Sequence, residues 1–283
     1  MSEVFKICCY ELKIQMMSKR VVLGYLVGMV MILKQSIGYI DYAQSLGEPI
    51  NVLEPFIVAG NNPNMIIFFV VGWFLVISEA PFINNISFYI IYRTSRQIWN
   101  KAMVFYIIVQ GIIFYGFMAF FTMVCSCWNG YLANVWSWPM IKVATGQGYV
   151  EAYNVNFPYP SYVESENVFG AFAHTFLLNL LYAVVLGMIL YTFSLLFSRI
   201  VGPVVAFVFH FLGYELQEEG YNVMIKLSLL ARSMPAVQIG KNALVNIFDT
   251  YLTFLIVFAL LSEISNVLIR YTDYKEIAVE EGV

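Results

Sequence analysis

The chain has 283 residues, 60% of them hydrophobic and 12% charged, with a net charge of −3. A soluble domain carries about twice that charged fraction, and several apolar runs reach the roughly 20 residues that a helix needs to cross a bilayer. Strand alternation is absent from those runs, which argues against a β-barrel and leaves an all-α membrane protein.

Glu3 to Met17 predicts an amphipathic helix, with Phe5, Cys8, Cys9, Leu12 and Met16 on one face and Glu3, Lys6, Tyr10 and Lys13 elsewhere. Such a helix is expected to lie flat in the headgroup layer, with packing on other protein as the alternative. No secretory signal is expected, because this opening segment is polar and no small-residue cleavage site follows the first span.

Six spans follow, at about Val21–Ile40, Asn64–Phe82, Ala102–Cys127, Val168–Phe197, Ile200–Leu216 and Phe248–Ile269. The outer connections are then 41–63, 128–167 and 217–247. The second is rich in Trp and Tyr, which favour the membrane–water boundary. The third holds an apolar patch, Val223 to Ala231, too short to span and suited to a re-entrant or interfacial segment. No internal repeat emerges, so the chain is read as one transmembrane domain.

Six spans put both termini on one side, and charge chooses the side. With the termini in the cytoplasm, Lys6, Lys13, Lys19, Arg20, Arg93, Arg96, Lys101, Arg199, Arg270 and Lys275 fall inside. Lys142, Lys226, Arg232 and Lys241 fall outside, as the positive-inside rule requires.

The motifs of catalysis are missing. No G-x-x-x-x-G-K-[ST] cradles phosphate and no H-E-x-x-H holds zinc. No G-x-S-x-G elbow is present. Glu218–Glu219 is the kind of pair found in intramembrane proteases, but it lacks their following cation. The four cysteines, Cys8, Cys9, Cys125 and Cys127, are spaced neither for bridges nor for metal, and are read as packing residues. His174 and His210 are expected to hydrogen-bond inside the bundle. No enzymatic activity, cofactor, metal or nucleic-acid partner is expected.

Three charges fall within spans: Lys34, Glu79 and Glu263. Translocon scales put a central charge at about 2.5–3.5 kcal/mol. Lys34 and Glu79 are near enough to an interface to snorkel. The functional alternative is that Glu263, with Lys34 and Glu79, marks a translocation route or a subunit seam.

The connection between the second and third spans, FYIIYRTSRQIWNKAMVF, is dense in cations. If helical, Arg93, Arg96, Gln97, Asn100 and Lys101 share a polar face. That face meets anionic lipid headgroups in the simpler reading.

The chain resembles the membrane subunits of type-2 ABC exporters, especially the small permeases of Gram-positive bacteria. The likeness lies in the N-terminal elbow helix, in ISEAPFINN (Ile77–Asn85) followed by YRTSRQIWNK (Tyr92–Lys101), and in LSLLARSMPAVQ (Leu227–Gln238) before the last span. It covers nearly the whole chain through order and topology, with degenerate motifs. The roughly forty-residue outer connection 128–167 departs from the family's short one. The resemblance implies a coupling helix between spans two and three that seats in a separate ATP-binding cassette subunit. Its contact residues would be Arg93, Arg96, Trp99, Asn100 and Lys101. It also implies a second permease copy, identical or not, and a place in the bacterial cytoplasmic membrane. The expected function is export of an amphipathic peptide, drug or lipid. Two rivals stay open: an ATP-independent membrane binding or immunity protein, and an ion-coupled carrier.

Overall fold

The computed structural model describes residues 2–80, 89–91, 93–146, 149–218, 222–240, 243 and 245–271. In chain order the helices are α1 (Ser2–Gln15), α2 (Lys19–Ser45), α3 (Glu54–Gly60), α4 (Pro63–Ile77), α5 (Arg96–Ser126) and α6 (Trp138–Thr145). Then come α7 (Pro160–Ser165), α8 (Val168–Leu196), α9 (Val201–Glu218), α10 (Asn222–Leu227), α11 (Leu229–Ser233) and α12 (Ile247–Tyr271). Among the described residues α2, α5, α8 and α12 are each long and apolar enough to cross a membrane. The α3–α4 pair, bent by 87°, makes a fifth candidate. The protein is a helical, multi-pass membrane protein.

α8 is the central post. Its sequence, VFGAFAHTFLLNLLYAVVLGMILYTFSLL, is apolar all round, and a helix without a polar stripe belongs in the interior. α3, α4, α5, α9 and α12 pack on it, and the Trp73 indole of α4 donates to its Ala183 carbonyl at 2.7 Å.

α2 packs mainly on α4, and small residues set how closely. A methyl group at Gly24 would stand 2.5 Å from the Gly72 carbonyl oxygen, and one at Gly72 would stand 2.7 Å from that of Gly24. Helices in lipid gain dispersion energy from such close backbone approach.

The corner between α3 and α4 is a break in the backbone ladder inside the bundle. Asn62 caps α4 by accepting from Asn64 N at 3.0 Å, and Pro63 starts it, a first-turn position where no donor is lost. Asn61 holds the corner: its Nδ2 donates to Ile57 O (2.8 Å) and Thr175 Oγ1 (3.2 Å), and its Oδ1 accepts from Ala236 N (2.8 Å). A second irregular stretch, α10, α11 and the turn Pro235–Val237, meets it from the other side. Asn179 of α8 donates to both, to Gly60 O at 3.0 Å and Ser233 O at 3.2 Å. Non-helical backbone at membrane depth is tolerated only when buried protein groups satisfy it, and these side chains do so.

The connection 128–167 is a folded cap. A short parallel ladder joins β1 (Ile50–Asn51) to β2 (Gly130–Tyr131), and a hairpin joins β3 (Tyr149–Val150) to β4 (Val155–Asn156), with Asn154 left-handed at φ 53°. A separate apolar core, including Tyr39, Ile57, Met140, Phe157 and Tyr162, lies beneath it.

One end of the bundle collects the start of α2, the end of α4, the start of α5, the end of α8 and the end of α12. Arg20–Glu79 (3.4 Å) and Asn100–Tyr191 (2.8 Å) tie them. Among the described residues this basic end and α1 hold nine cations: Lys6, Lys13, Lys19, Arg20, Arg93, Arg96, Lys101, Arg199 and Arg270. The cap end holds Lys142, Lys226 and Arg232.

Several expectations change. α2 runs five residues past Ile40, and the connection 41–63 contains a buried helix, α3, because EPFIVAG is apolar and begins with a proline at its second position. The second span begins at Pro63 after a sharp corner. In the coupling segment the described residues 89–91 and 93 are helical, the helix breaks at Thr94–Ser95, and Arg96 to Lys101 belong to the first turns of α5. Of the expected apolar face of α1, Cys8 is buried and Leu12 partly buried against the bundle. The helix packs along α5 and buries Ile7, Cys8, Glu11 and Gln15, while Phe5, Cys9 and Met16 stay at the surface. The last seven residues of the first resemblance motif and its partner residue Tyr92 do not all fall within the described residues: Pro81–Asn85 and Tyr92 lie outside them, as do Glu219, Lys241 and Lys275.

Candidate functional site

At the basic end, Ser95 opens α5 by accepting from Ile98 N at 3.2 Å, which fixes the direction of the first turn. From that turn Arg93, Arg96, Gln97 and Lys101 are exposed. Arg96 Nη1 donates to the Arg270 carbonyl at 3.1 Å. Gln97, with its carboxamide oxygen toward Arg270, accepts from that guanidinium at 2.9 and 3.1 Å. The end of α12 is thereby strapped to the start of α5, and a cation at a helix C-terminus also meets the favourable pole of the dipole.

The other two expected contact residues point inward. Trp99 is 0% exposed and Asn100 1%. Asn100 Oδ1 accepts from Tyr191 OH of α8 at 2.8 Å, and its Nδ2 donates to Ser265 Oγ of α12 at 3.2 Å. The five expected contact residues therefore divide: Arg93, Arg96 and Lys101 form a cationic surface, while Trp99 is buried in the bundle and Asn100 fastens that surface to two other helices. The helical wheel placed Asn100 on the polar side because it counts polarity and takes no account of neighbours.

The in-span charges do not converge. Glu79 pairs with Arg20 at the basic end. Glu263 is exposed at the bundle surface two residues before Ser265, so it lies close to the level of Asn100. Lys34 is also exposed, one turn below Gly38, whose backbone touches the cap at Tyr153. At 1.5 Å per residue Lys34 and Glu263 stand on the order of 25 Å apart along the bundle. Neither lines an interior route within the chain.

At the cap end stands Glu54, which no motif or spacing singled out. It is fully buried and accepts from Tyr39 OH (2.8 Å), Ser137 Oγ (2.6 Å), Ser137 N (2.7 Å) and Asn51 N (3.1 Å). Four donors satisfy a carboxylate that has no counter-ion among the described residues, and they join α2, α3 and the cap into one body. Asn51 extends the join, donating to Ala133 O and Val135 O at 2.5 and 3.1 Å. Beside it lies an apolar cavity of about 550 Å³, lined by Val52, Leu53, Met123, Tyr131, Phe169 and Phe172. Its size is that of a small-ligand site, and its wall would accept only an apolar group.

Both histidines bond within the bundle: His174 to Tyr251 OH at 2.9 Å and His210 to Tyr182 OH at 2.8 Å. The cysteines are free thiols, with Cys8 buried and Cys9 and Cys127 exposed. Among the described residues no group of three or more His, Cys, Asp or Glu gathers to hold a metal. Comparison with protein-family models, with curated proteins and with solved structures finds no match to this chain.

Proposed function

We propose that the chain is the permease subunit of an ATP-driven exporter of the ABC type. In this reading α2, the α3–α4 pair, α5, α8, α9 and α12 make six spans, the basic end faces the cytoplasm, and two permease copies work with two separate ATPase chains. One observation carries it: an exposed cationic turn, Arg93, Arg96 and Lys101, is continuous with a buried turn whose Trp99 and Asn100 are packed into the bundle. A push on that surface is transmitted to α8 and α12 rather than absorbed by a loop. The cation excess at the basic end supports the orientation, and a sequence without a G-x-x-x-x-G-K-[ST] motif is in keeping with a nucleotide bound by a partner. The cargo is amphipathic or hydrophobic, in keeping with the apolar cavity at the cap end.

The test is co-purification from the native host. The wild-type chain is expected to bring down a Walker-motif ATPase, and the double variant Arg93→Glu, Arg96→Glu to lose it together with cargo-stimulated hydrolysis. Unchanged association and hydrolysis in that variant would falsify the docking assignment.

The same cavity favours a second reading, a membrane protein that sequesters an apolar peptide without ATP. That reading requires protection of cells by this chain when no ATPase is expressed.

A further inference from the structure

The N-terminal helix buries an acid that its surroundings do not satisfy. Glu11 is 0% exposed on the face of α1 that meets α5, and neither carboxyl oxygen has a full hydrogen bond. Its neighbours come from several elements. On α1 itself Cys8 (1%) lies one turn before it and Gln15 (4%) one turn after, while Lys6 and Lys13 are exposed. On α5 stand Tyr106 and Gln110, both 0% exposed, and the Gln110 oxygen is also without a partner. Gln110 Nε2 turns instead to Tyr25 OH of α2 at 3.5 Å and Met16 Sδ at 3.7 Å. Beyond α4, Glu79 is within electrostatic range of Glu11, and Arg20 of α2 is engaged by Glu79 at 3.4 Å. Lys101, earlier on α5, is exposed.

A carboxylate here would be a charge buried beside another acid and short of donors, a state ordinarily relieved by taking up a proton. We propose that Glu11 is a proton-binding site that seats the N-terminal helix: with the proton bound α1 rests on α5, and on losing it to water at the basic end α1 comes away. Burial raises the Glu11 carboxyl from the ordinary 4.5 to about 7, Gln15 opposes that rise, and the charge of Glu79 adds to it. The sign follows. When α1 is unseated, Glu11 titrates near its ordinary value. Seating is therefore undisturbed below about pH 4.5, weakens as pH rises through the interval up to about 7, and stays weakened above it. The full change across such an interval is on the order of a hundredfold in the seating equilibrium. The inference does not depend on the export reading.

Cys8 is a built-in reporter, being a buried free thiol on the same helix face. The experiment uses the full chain in lipid nanodiscs with Cys9, Cys125 and Cys127 replaced by Ser. Maleimide labelling of Cys8 is timed from about pH 5 to about pH 8 and divided by the rate in the detergent-unfolded chain, which removes the chemistry of the thiol itself. Protection is expected to fall by at least tenfold across the range, and to be flat in both Glu11→Gln and Glu11→Leu. A flat wild-type profile overturns the proposal, as does the same slope in Glu11→Gln. Should both variants fail to fold, the wild-type infrared spectrum decides. A protonated-carboxyl band must vanish in step with the loss of Cys8 protection, and its absence at the low end of the range overturns the proposal equally.

Discussion

Glu54 and Asn100 show how single polar side chains hold this bundle together. Glu54 satisfies four donors, and replacing it by Gln turns two hydrogens toward groups that are themselves donors. Glu54→Gln is expected to cost about 2–4 kcal/mol, since bonds to a charged acceptor and the stranding of buried donors both count. Ser137→Ala, which removes one donor but keeps the backbone bond, is expected to cost about 1–2 kcal/mol. Thermal unfolding in mild detergent, with proteolysis of 128–167 as a second readout, measures both. A loss below about 0.5 kcal/mol for Glu54→Gln would mean that apolar packing alone keeps the cap in place. Asn100→Leu removes the bonds to Tyr191 and Ser265 and is expected to cost about 0.6–2 kcal/mol, the range for hydrogen bonds between helices in lipid. Neither role was legible beforehand. Glu54 fell among the acids of an outer connection, and its partner Ser137 lies 83 positions away along the chain. Charge in a connecting segment suggests water unless the fold brings donors to it.

The elements divide by how fully their own sequence determines them. α8, α9 and α12 begin and end within two residues of the expected spans, because long apolar runs with few breakers admit only one structure. α3 was hidden by composition: proline, glycine and asparagine in 41–63 suggested a loop. The same residues are the first-turn proline of α3, and the asparagine cap and first-turn proline of α4. α1 was legible as a helix, but the side it turns to the protein was not, because a search for apolar spacing cannot place Glu11 and Gln15 on a buried face. The α2–α4 contact has a direct test. Gly72→Val pushes two methyls into the Gly24 carbonyl and is expected to destabilise by about 1–3 kcal/mol through overpacking. Gly116, whose added methyl meets nothing within 4 Å, is the control: Gly116→Ala is expected to be neutral or slightly stabilising, as helix propensity favours Ala.

For the molecule as a whole, the distribution of cations makes the strongest claim. Single cysteines at Thr94 or Ser95 are expected to react with impermeant thiol reagents only from the cytoplasmic side of intact cells. Labelling from outside would invert the bundle and remove the docking surface with it. The distance between Lys34 and Glu263 supplies a second test. Lys34→Glu and Glu263→Lys are expected to act additively, within about 0.5 kcal/mol in stability, because groups this far apart share no partners. Rescue of one by the other would bring the two helices of neighbouring copies into an arrangement offset along the membrane normal. The helical membrane class was readable from composition, while the order of packing around α8 was not, since it depends on side chains such as Trp73 and Asn179 that meet backbone far away in sequence.

The stitched corner after α3 has a bearing on how the protein is made. The groups that satisfy Gly60 and Asn61 are Asn179, Thr175 and Ala236, between 114 and 175 residues further on. Until those have left the ribosome, the corner has open peptide groups and no lipid can quench them. The early helices must therefore be held at the interface or by insertion machinery while the later ones arrive. Truncation after α5 should yield a product that is degraded, whereas the intact chain closes on itself around α8.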